Sequence, residues 1–199
     1  ALDNFFDEIS TELKLPIIMI SGNHDSAKRL GFGAAHMRQS GLHILNTVSD
    51  VTTPVIIATE SGPVHFYGIP YHDPVEVKEA FACDVSTYDD AHTYLVEQIN
   101  KVRVADVPSV LISHCFIDGA EESESERPLS IGGADRVSYQ PLESFDYVAL
   151  GHLHGPQYKG AKHIRYSGSL LKYSFSEYKQ SKGITVVELD DKGLLATEH

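Results

Sequence analysis

Short polar segments that contain histidine follow three separate apolar runs of this sequence. The runs at residues 17–20, 110–112 and 147–150 lead into Gly-Asn-His-Asp, Ser-His and Gly-His-Leu-His. Neutral imidazole is a good ligand for manganese, iron or zinc, and an asparagine carbonyl adds a harder oxygen that suits manganese. The residues that offer this chemistry are Asn23, His24, His114, His152 and His154.

The last segment carries two histidines two positions apart. On extended backbone, His152 and His154 cannot easily both face one ion, but they can reach two neighbouring ions. Two metals about 3.5–4 Å apart stabilise both the attacking and the leaving oxygen of an in-line phosphoryl displacement, and they generate hydroxide at neutral pH. The pattern therefore favours hydrolysis of a phosphate ester.

Strands must position these residues, because each apolar run is short and bounded by polar residues. A helical pattern over residues 2–13 is broken by Pro16, and Thr87 is suited to cap a helix that ends at about Val104. Polar loops at the carboxyl ends of strands are where sites assemble in sheets with helices on their faces. An α/β fold is therefore expected, with further strands at 55–58, 64–69 and 184–189.

Composition and charge limit the class of protein. A chain of 199 residues with 42% apolar content suits one domain over 1–199. Its apolar runs are too short to cross a bilayer, and its acidic start is unlike a signal peptide, so a soluble cytoplasmic protein with no membrane partner is expected. Cys83 and Cys115 form no disulfide framework or zinc motif and are interpreted as ordinary thiols.

The net charge of -12 argues against a general basic surface for nucleic acid, so any contact with DNA must be local. A basic stretch follows the last histidine motif, and we expect some of its residues to face a DNA backbone. An acidic cluster at residues 121–126 is interpreted as a solvated face. The candidate DNA-binding residues are Lys159, Lys162, Arg165 and Lys172.

The histidine motifs resemble the last three of the five motifs of calcineurin-like metallophosphoesterases. Longer stretches at 22–30, 113–119, 146–154 and 165–177 are similar to the SbcD family of nucleases and its eukaryotic and archaeal relatives in double-strand-break repair. The resemblance implies a two-sheet β-sandwich flanked by helices in α-β-β-α layers. It also implies cleavage of DNA with two divalent ions, most often Mn²⁺, and an SbcC-like ATPase subunit as the partner of a homodimer within a heterotetramer.

The resemblance also implies a division of roles within the motifs. Asn23, His114 and His152 should bind one metal, and His154 should bind the other. His24 should not be a ligand but should donate a proton to the departing 3′ oxygen. Asp25 should hold the His24 ring in orientation, although Asp25 could equally cap the loop.

Two motifs of the family are missing. They are an Asp-x-His after the first strand and a Gly-Asp after the second, and together they supply two aspartates and one histidine. The sequence contains no Gly-Asp dipeptide, and its Asp-x-His match at 90–92 lies in the predicted helix, where it is interpreted as coincidence. A chain shortened at its N-terminus by about two βα units is expected, and the capping domain of the family is also expected to be missing from it.

Two other functions remain open. Another calcineurin-like phosphoesterase, acting on phosphoproteins, cyclic nucleotides or pyrophosphates, would share the motifs but not the stretch at 165–177. A non-catalytic scaffold would have no reason to keep Asn23 and the four histidines together.

The missing motifs generate a prediction for the chain as given. One metal position keeps only His154, and no carboxylate bridges the pair, so metal affinity should be low and nuclease activity close to zero. The strand at 17–20 should also keep an unpaired edge that favours association. Robust manganese-dependent cleavage by protein confirmed by mass to begin at Ala1 would contradict this expectation.

Overall fold

The computed structural model describes residues 2–126 and 135–199. The helices are α1 (Leu2–Asp7), which continues as a π-helix (Glu8–Glu12), α2 (Ala27–Leu30), α3 (Ala34–Met37), α4 (Pro74–Phe81) and α5 (Tyr88–Val102). The strands are β1 (Ile17–Ile20), β2 (Leu42–Leu45), β3 (Val55–Thr59), β4 (Gly62–Ile69), β5 (Ser109–His114), β6 (Phe116–Ile117), β7 (Arg136–Val137), β8 (Tyr147–Gly151), β9 (Gln157–Lys159), β10 (Ala161–Tyr166), β11 (Val186–Asp190) and β12 (Gly193–Glu198).

A six-stranded mixed sheet forms the centre of the fold, with the strand order β3-β4-β5-β8-β10-β9. The four inner strands β4, β5, β8 and β10 run parallel, and the two edge strands pair antiparallel with their neighbours. The carboxyl ends of the inner strands therefore meet at one edge of the sheet. The α/β class is confirmed, and so are the strands predicted at 110–112 and 147–150.

The two faces of the sheet are covered differently. Helix α5 packs its buried residues, among them Leu95 and Ile99, against one face, in the main core with Leu111 and Val148. On the other face, a small cluster around Tyr147 packs against side chains of the β11–β12 hairpin. The expected fold has four layers in the order α-β-β-α. In the described residues, a helix covers one face of the six-stranded sheet, and a two-stranded hairpin covers part of the other face.

Strand β1 forms its own parallel pair with β2 and lies beside β4. The Tyr71 amide donates to the Ser21 carbonyl at 2.9 Å, which joins the end of β1 to the end of β4. Gly68 permits this approach, because a Cβ added there would lie 2.5 Å from Leu45 Cδ1. Among residues 2–126 and 135–199, β1 has no second strand partner, so the free edge predicted for it is present.

Helix α5 begins as predicted at a Thr87 capping box completed by Asp90, but it ends at Val102 rather than near Val104. The Asp-x-His match at 90–92 lies within this helix, which confirms that it is not a strand-end motif. Strand β11 begins at Val186, so Ile184 falls outside it. None of the described helices is long and apolar enough to cross a membrane. Cys83 and Cys115 are free thiols.

The Asp-x-His match has a structural role instead. His92 is buried, its Nε2 lies 2.9 Å from Ser113 Oγ, and its ring stacks on His72 at 5.9 Å. Burial first, and His72 second, lower the pKa of His92 from 6.5 to about 3. His92 is therefore a neutral core residue at physiological pH.

We predict that His92 makes the fold sensitive to acid. As the pH falls below 6.5, the unfolded chain takes up a proton at this position and the folded chain does not, so stability is lost between pH 6.5 and about 3. From His92 alone, the loss at pH 5 is about 2 kcal/mol. Urea unfolding of His92→Gln between pH 7 and 5 should show a shallower pH dependence. His36→Gln, at an exposed site, should behave as the wild type, and equal slopes in all three proteins would refute the prediction.

Candidate functional site

The parallel register of β5 and β8 places the first two candidate histidines side by side. His114 pairs with Gly151, so His152 follows at the same height of the sheet edge. The two imidazole rings lie 5.4 Å apart in an edge-to-face arrangement. His114 Nε2–H donates to Asn23 Oδ1 at 2.8 Å, which brings the loop after β1 to the same point.

A pocket of about 470 Å³ opens at this edge. It is lined by residues of all three histidine-bearing loops, together with the loop after β10. The structure thus brings the four predicted ligands and His24 into one place, and their metal-binding and catalytic roles stay predictions. The lining residues include Asn23, His24, His114, Ser125, Glu126, His152, His154, Gly168 and Tyr173.

Two glycines hold the His114 ring between them. A Cβ added at Gly22 would lie 2.7 Å from His114 Cε1, and one at Gly151 would lie 3.0 Å from Nδ1. The edge of the Tyr71 ring approaches from a third side, with ring centroids 6.2 Å apart. The glycines of the Gly-Asn-His-Asp and Gly-His-Leu-His segments therefore give His114 the room to reach Asn23.

The two central histidines are neutral at physiological pH. Burial, with a smaller effect from His152, lowers the pKa of His114 to about 4. Burial also lowers the pKa of His152, although the nearby carboxylates of Glu126 and Asp135 oppose this effect. Neutral imidazoles keep the lone pair that a metal requires.

His152 has a positive φ of 110°, which is rare for a residue with a side chain. Such a conformation costs about 1–3 kcal/mol and persists only where the surroundings impose it. Here the strand-end register on one side and the contacts of His154 on the other fix the backbone. On the two sides of this turn, the ring of His152 contacts His114, whereas the ring of His154 contacts Tyr173.

His154 is surrounded by polar groups from distant parts of the chain. Its Nδ1 lies 3.0 Å from Glu177 Oε1 and 2.9 Å from Ser125 Oγ. Its backbone amide donates to Glu126, and its carbonyl accepts from Lys182 Nζ at 2.8 Å. Both the ring and the backbone of His154 are thereby fixed.

Gly168 allows the loop after β10 to pack against His154. It has a φ of 79°, and a Cβ there would lie 2.6 Å from the His154 carbonyl oxygen. The neighbouring Ser169 amide donates to that same oxygen at 3.1 Å.

Asp25 caps its own loop. Its Oδ2 accepts from the Gly22 amide at 2.8 Å, and its amide donates to the Gly22 carbonyl. No hydrogen bond joins Asp25 to His24 within residues 2–126 and 135–199. These contacts are those of the loop-capping alternative for Asp25, and its orienting role stays a prediction. His24 is exposed at the mouth of the pocket, free to meet a substrate.

The four basic candidates do not line the pocket. Lys159 donates to the Gly119 carbonyl, and Lys162 lies near the start of β10, away from the carboxyl edge. Burial raises the pKa of Tyr147, and the nearby charge of Arg165 opposes this effect, so Arg165 lies close to Tyr147 on the hairpin side of the sheet. Lys172 alone lies on the loop that lines the pocket, where it donates to the Tyr178 carbonyl at 2.7 Å.

Several site residues were not predicted from the sequence. Glu177 is the last residue of the stretch at 165–177 and the single acid of residues 159–182, and Glu126 belongs to the acidic cluster at 121–126, but neither residue was given a role in the site. Ser125, Tyr173 and Lys182 carried no motif. What could have pointed to Glu177 was that lone acidic charge among lysines.

Among residues 2–126 and 135–199, no three His, Cys, Asp or Glu side chains are placed to hold one metal ion. Asn23 Oδ1, 2.8 Å from His114 Nε2, is the further donor atom that the prediction places beside His114 and His152. For a second ion, His154 is the predicted ligand in the pocket.

The sequence of the chain is similar to that of a known nuclease subunit. The chain is 38% identical over 195 residues to the SbcD subunit of the SbcCD nuclease of Staphylococcus epidermidis. The match covers 98% of this chain and 51% of that relative, so the chain spans about half of the relative's length. It confirms the predicted resemblance to SbcD. No family model matches the chain.

The close packing of Gly22 against the His114 ring can be tested by adding one methyl group at Gly22. In Gly22→Ala, the new Cβ forces the ring or the loop to move, and such overpacking costs about 1–3 kcal/mol of unfolding free energy. The Nε2–H signal of His114 in a histidine NMR spectrum should shift as the bond to Asn23 lengthens. Gly183→Ala is the control, because its Cβ meets nothing closer than 3.6 Å. Identical His114 signals in both variants would show that the His114 ring is packed less closely against Gly22 than the 2.7 Å distance implies.

Proposed function

We propose that this relative of SbcD is the nuclease part of an SbcCD-like complex, a metal-dependent phosphodiesterase that acts on DNA. The observation that carries the proposal is the meeting of three strand-end loops in one pocket, with His114, His152 and Asn23 side by side. The similarity to the staphylococcal protein supports DNA as the substrate and an SbcC-like ATPase as the partner.

The donor set fits a divalent ion at the first position. Two ligands about 2.1 Å from an ion and at right angles to one another lie about 3.0 Å apart. His114 Nε2 and Asn23 Oδ1 are separated by 2.8 Å, so both atoms would already be near that spacing once the Nε2 proton moves to Nδ1 and frees the Nε2 lone pair. The amide oxygen of Asn23 is a donor that suits Mn²⁺, and the two imidazoles are donors for divalent transition metals in general.

The proposed roles are those that the resemblance to the family implies, and all of these residues line the pocket. Asn23, His114 and His152 would hold one ion, and His154 would hold the other. Bound metal supplies charge stabilisation of the phosphate and an activated water. His24 stands at the exposed mouth, where it donates a proton to the departing 3′ oxygen of the DNA strand.

The acidic composition fits a subunit that relies on a partner for much of its grip on DNA. With a net charge of -12, the chain repels a polyanion at long range, so a local basic contact or the partner must offset this repulsion. Lys172 is the basic candidate best placed for a local contact, because its loop borders the pocket. We propose an assembly of two such chains with the ATPase subunit.

Replacing the two histidines separately tests the division of labour in the active complex. His24→Asn should lower the rate of cleavage about 10²–10⁴-fold with nearly unchanged metal content, since it removes a proton donor and no ligand. His152→Asn should remove metal as well as activity. Cleavage of a 3′-phosphorothiolate substrate, whose leaving group needs no proton, should rescue only the His24 variant. Equal metal loss in both variants, measured by atomic emission, would show that His24 is a ligand.

The basic candidates are tested by the dependence of DNA affinity on salt. Each lost phosphate contact should lower the slope of log affinity against log salt concentration by about one. Lys172→Gln should show this loss, while Lys192→Gln, on the turn between β11 and β12, should not. Lys159→Gln and Lys162→Gln tell whether DNA extends along the sheet away from the pocket. Unchanged slopes in all the variants would assign these cations to a solvated face.

A further inference from the structure

A buried carboxylate beside the pocket has no role in the motifs of the sequence. Glu177 lies in a short 3₁₀ helix (Phe175–Lys179), and its side chain is completely buried. Its Oε2 accepts from Lys182 Nζ at 2.7 Å and from the Tyr173 amide at 3.2 Å. Its Oε1 accepts from the Ser125 hydroxyl and faces His154 Nδ1.

The contacts of Glu177 decide its charge. The Lys182 ammonium lies 2.7 Å from Oε2 inside the protein, and the Tyr173 amide and the Ser125 hydroxyl also donate to the carboxylate oxygens. The group is therefore ionised at neutral pH and can only accept hydrogen bonds.

An ionised Glu177 also decides which nitrogen of His154 carries the proton. The Ser125 hydroxyl has one proton, and that proton points to Glu177, so Ser125 presents only lone pairs to Nδ1. Both neighbours of Nδ1 are then acceptors, and Nδ1 must be the donor. A neutral His154 consequently has its free lone pair on Nε2.

We propose that Glu177 is a positioning residue that fixes His154 in the Nδ1-protonated tautomer and so presents Nε2 to the pocket as a metal ligand. The metal part of this inference rests on the proposed function, whereas the tautomer is a property of the metal-free protein. A carboxylate behind a ligating histidine orients the ring and raises its basicity, and loss of such a partner lowers metal affinity about 10–100-fold.

Lys182 contacts both Glu177 and His154. Its side chain is 8% exposed, and it donates to the His154 carbonyl and to Ser169 Oγ, both at 2.8 Å, as well as to Glu177. One cation thus holds the backbone of His154 and the carboxylate behind its ring. The ring and the main chain of His154 cannot move independently of the loop that carries Glu177.

Glu177→Gln makes a sharp test, because a glutamine has one acceptor and one donor end. The Lys182 ammonium and the Tyr173 amide can only donate, so they select the carbonyl oxygen of the glutamine. The amide nitrogen then faces His154 Nδ1, which must accept. The tautomer of His154 should therefore change to Nε2–H, as read from long-range ¹H–¹⁵N spectra of the metal-free protein.

In the same variant, Mn²⁺ affinity measured by calorimetry should fall at least about tenfold. Glu177→Asp keeps the charge that pairs with Lys182 but withdraws the oxygen from Nδ1, so it should weaken Mn²⁺ binding even if the glutamine variant folds poorly. Glu143→Gln, at an exposed position, is the control and should keep both the tautomer and the affinity.

The outcomes separate the two proposals. Retention of the Nδ1–H tautomer in folded Glu177→Gln would overturn the positioning role. A changed tautomer with unchanged Mn²⁺ affinity would leave that role standing and overturn the assignment of His154 as a ligand. His154→Ala then provides a direct check, because loss of a ligand must lower Mn²⁺ affinity whatever Glu177 does.

Discussion

The contact between His114 and Asn23 depends on the lack of side chains at two glycines. Gly22 ends the run from β1, Gly151 ends β8, and the imidazole of His114 lies against both. Because β5 and β8 are paired in parallel register, no shift along the strands can relieve a bulkier residue without breaking the sheet. The position of the candidate metal site is thus set by backbone pairing, and the side chains only occupy the space that the pairing leaves.

This dependence explains why the centre of the site was accessible from the sequence. Strand ends follow from the length of an apolar run, and parallel strands bring their carboxyl ends to one edge, so the meeting of His114 and His152 needed no knowledge of side-chain packing. Asn23 follows β1, which pairs with β2 outside the six-stranded sheet, and it is joined to the other two by its hydrogen bond to His114. The Thr87 cap was predictable for the same reason, since capping is local. Helix α4 was missed although Asp73 and Glu76 form a capping box around Pro74, a signal as clear as that at Thr87. Strand β2, which has only four residues, was also missed.

The outer part of the site was beyond sequence reasoning because its contacts are long-range and polar. Glu177 is separated by 52 positions from Ser125 and by 23 from His154, and no periodicity relates the three residues. Charge patterning gave no role to Glu177 or Lys182, because charged residues usually lie on a solvated face. The same reasoning assigned Arg165 to DNA, but the alternation of side chains along β10 directs it to the hairpin face of the sheet.

The loop that carries Glu177 reverses the usual distribution of polar and apolar residues. Phe175 is 99% exposed and Tyr178 is 65% exposed, while Glu177 between them is fully buried. Apolar burial therefore contributes little to holding this loop, and the ion pair with Lys182 must do so. A buried pair gains little net free energy against desolvation, but loss of one member leaves an unpaired buried charge, which costs several kcal/mol. The loop consequently has one well-defined position, set by electrostatics, and His154 shares that position because the same two charges hold its ring and its carbonyl.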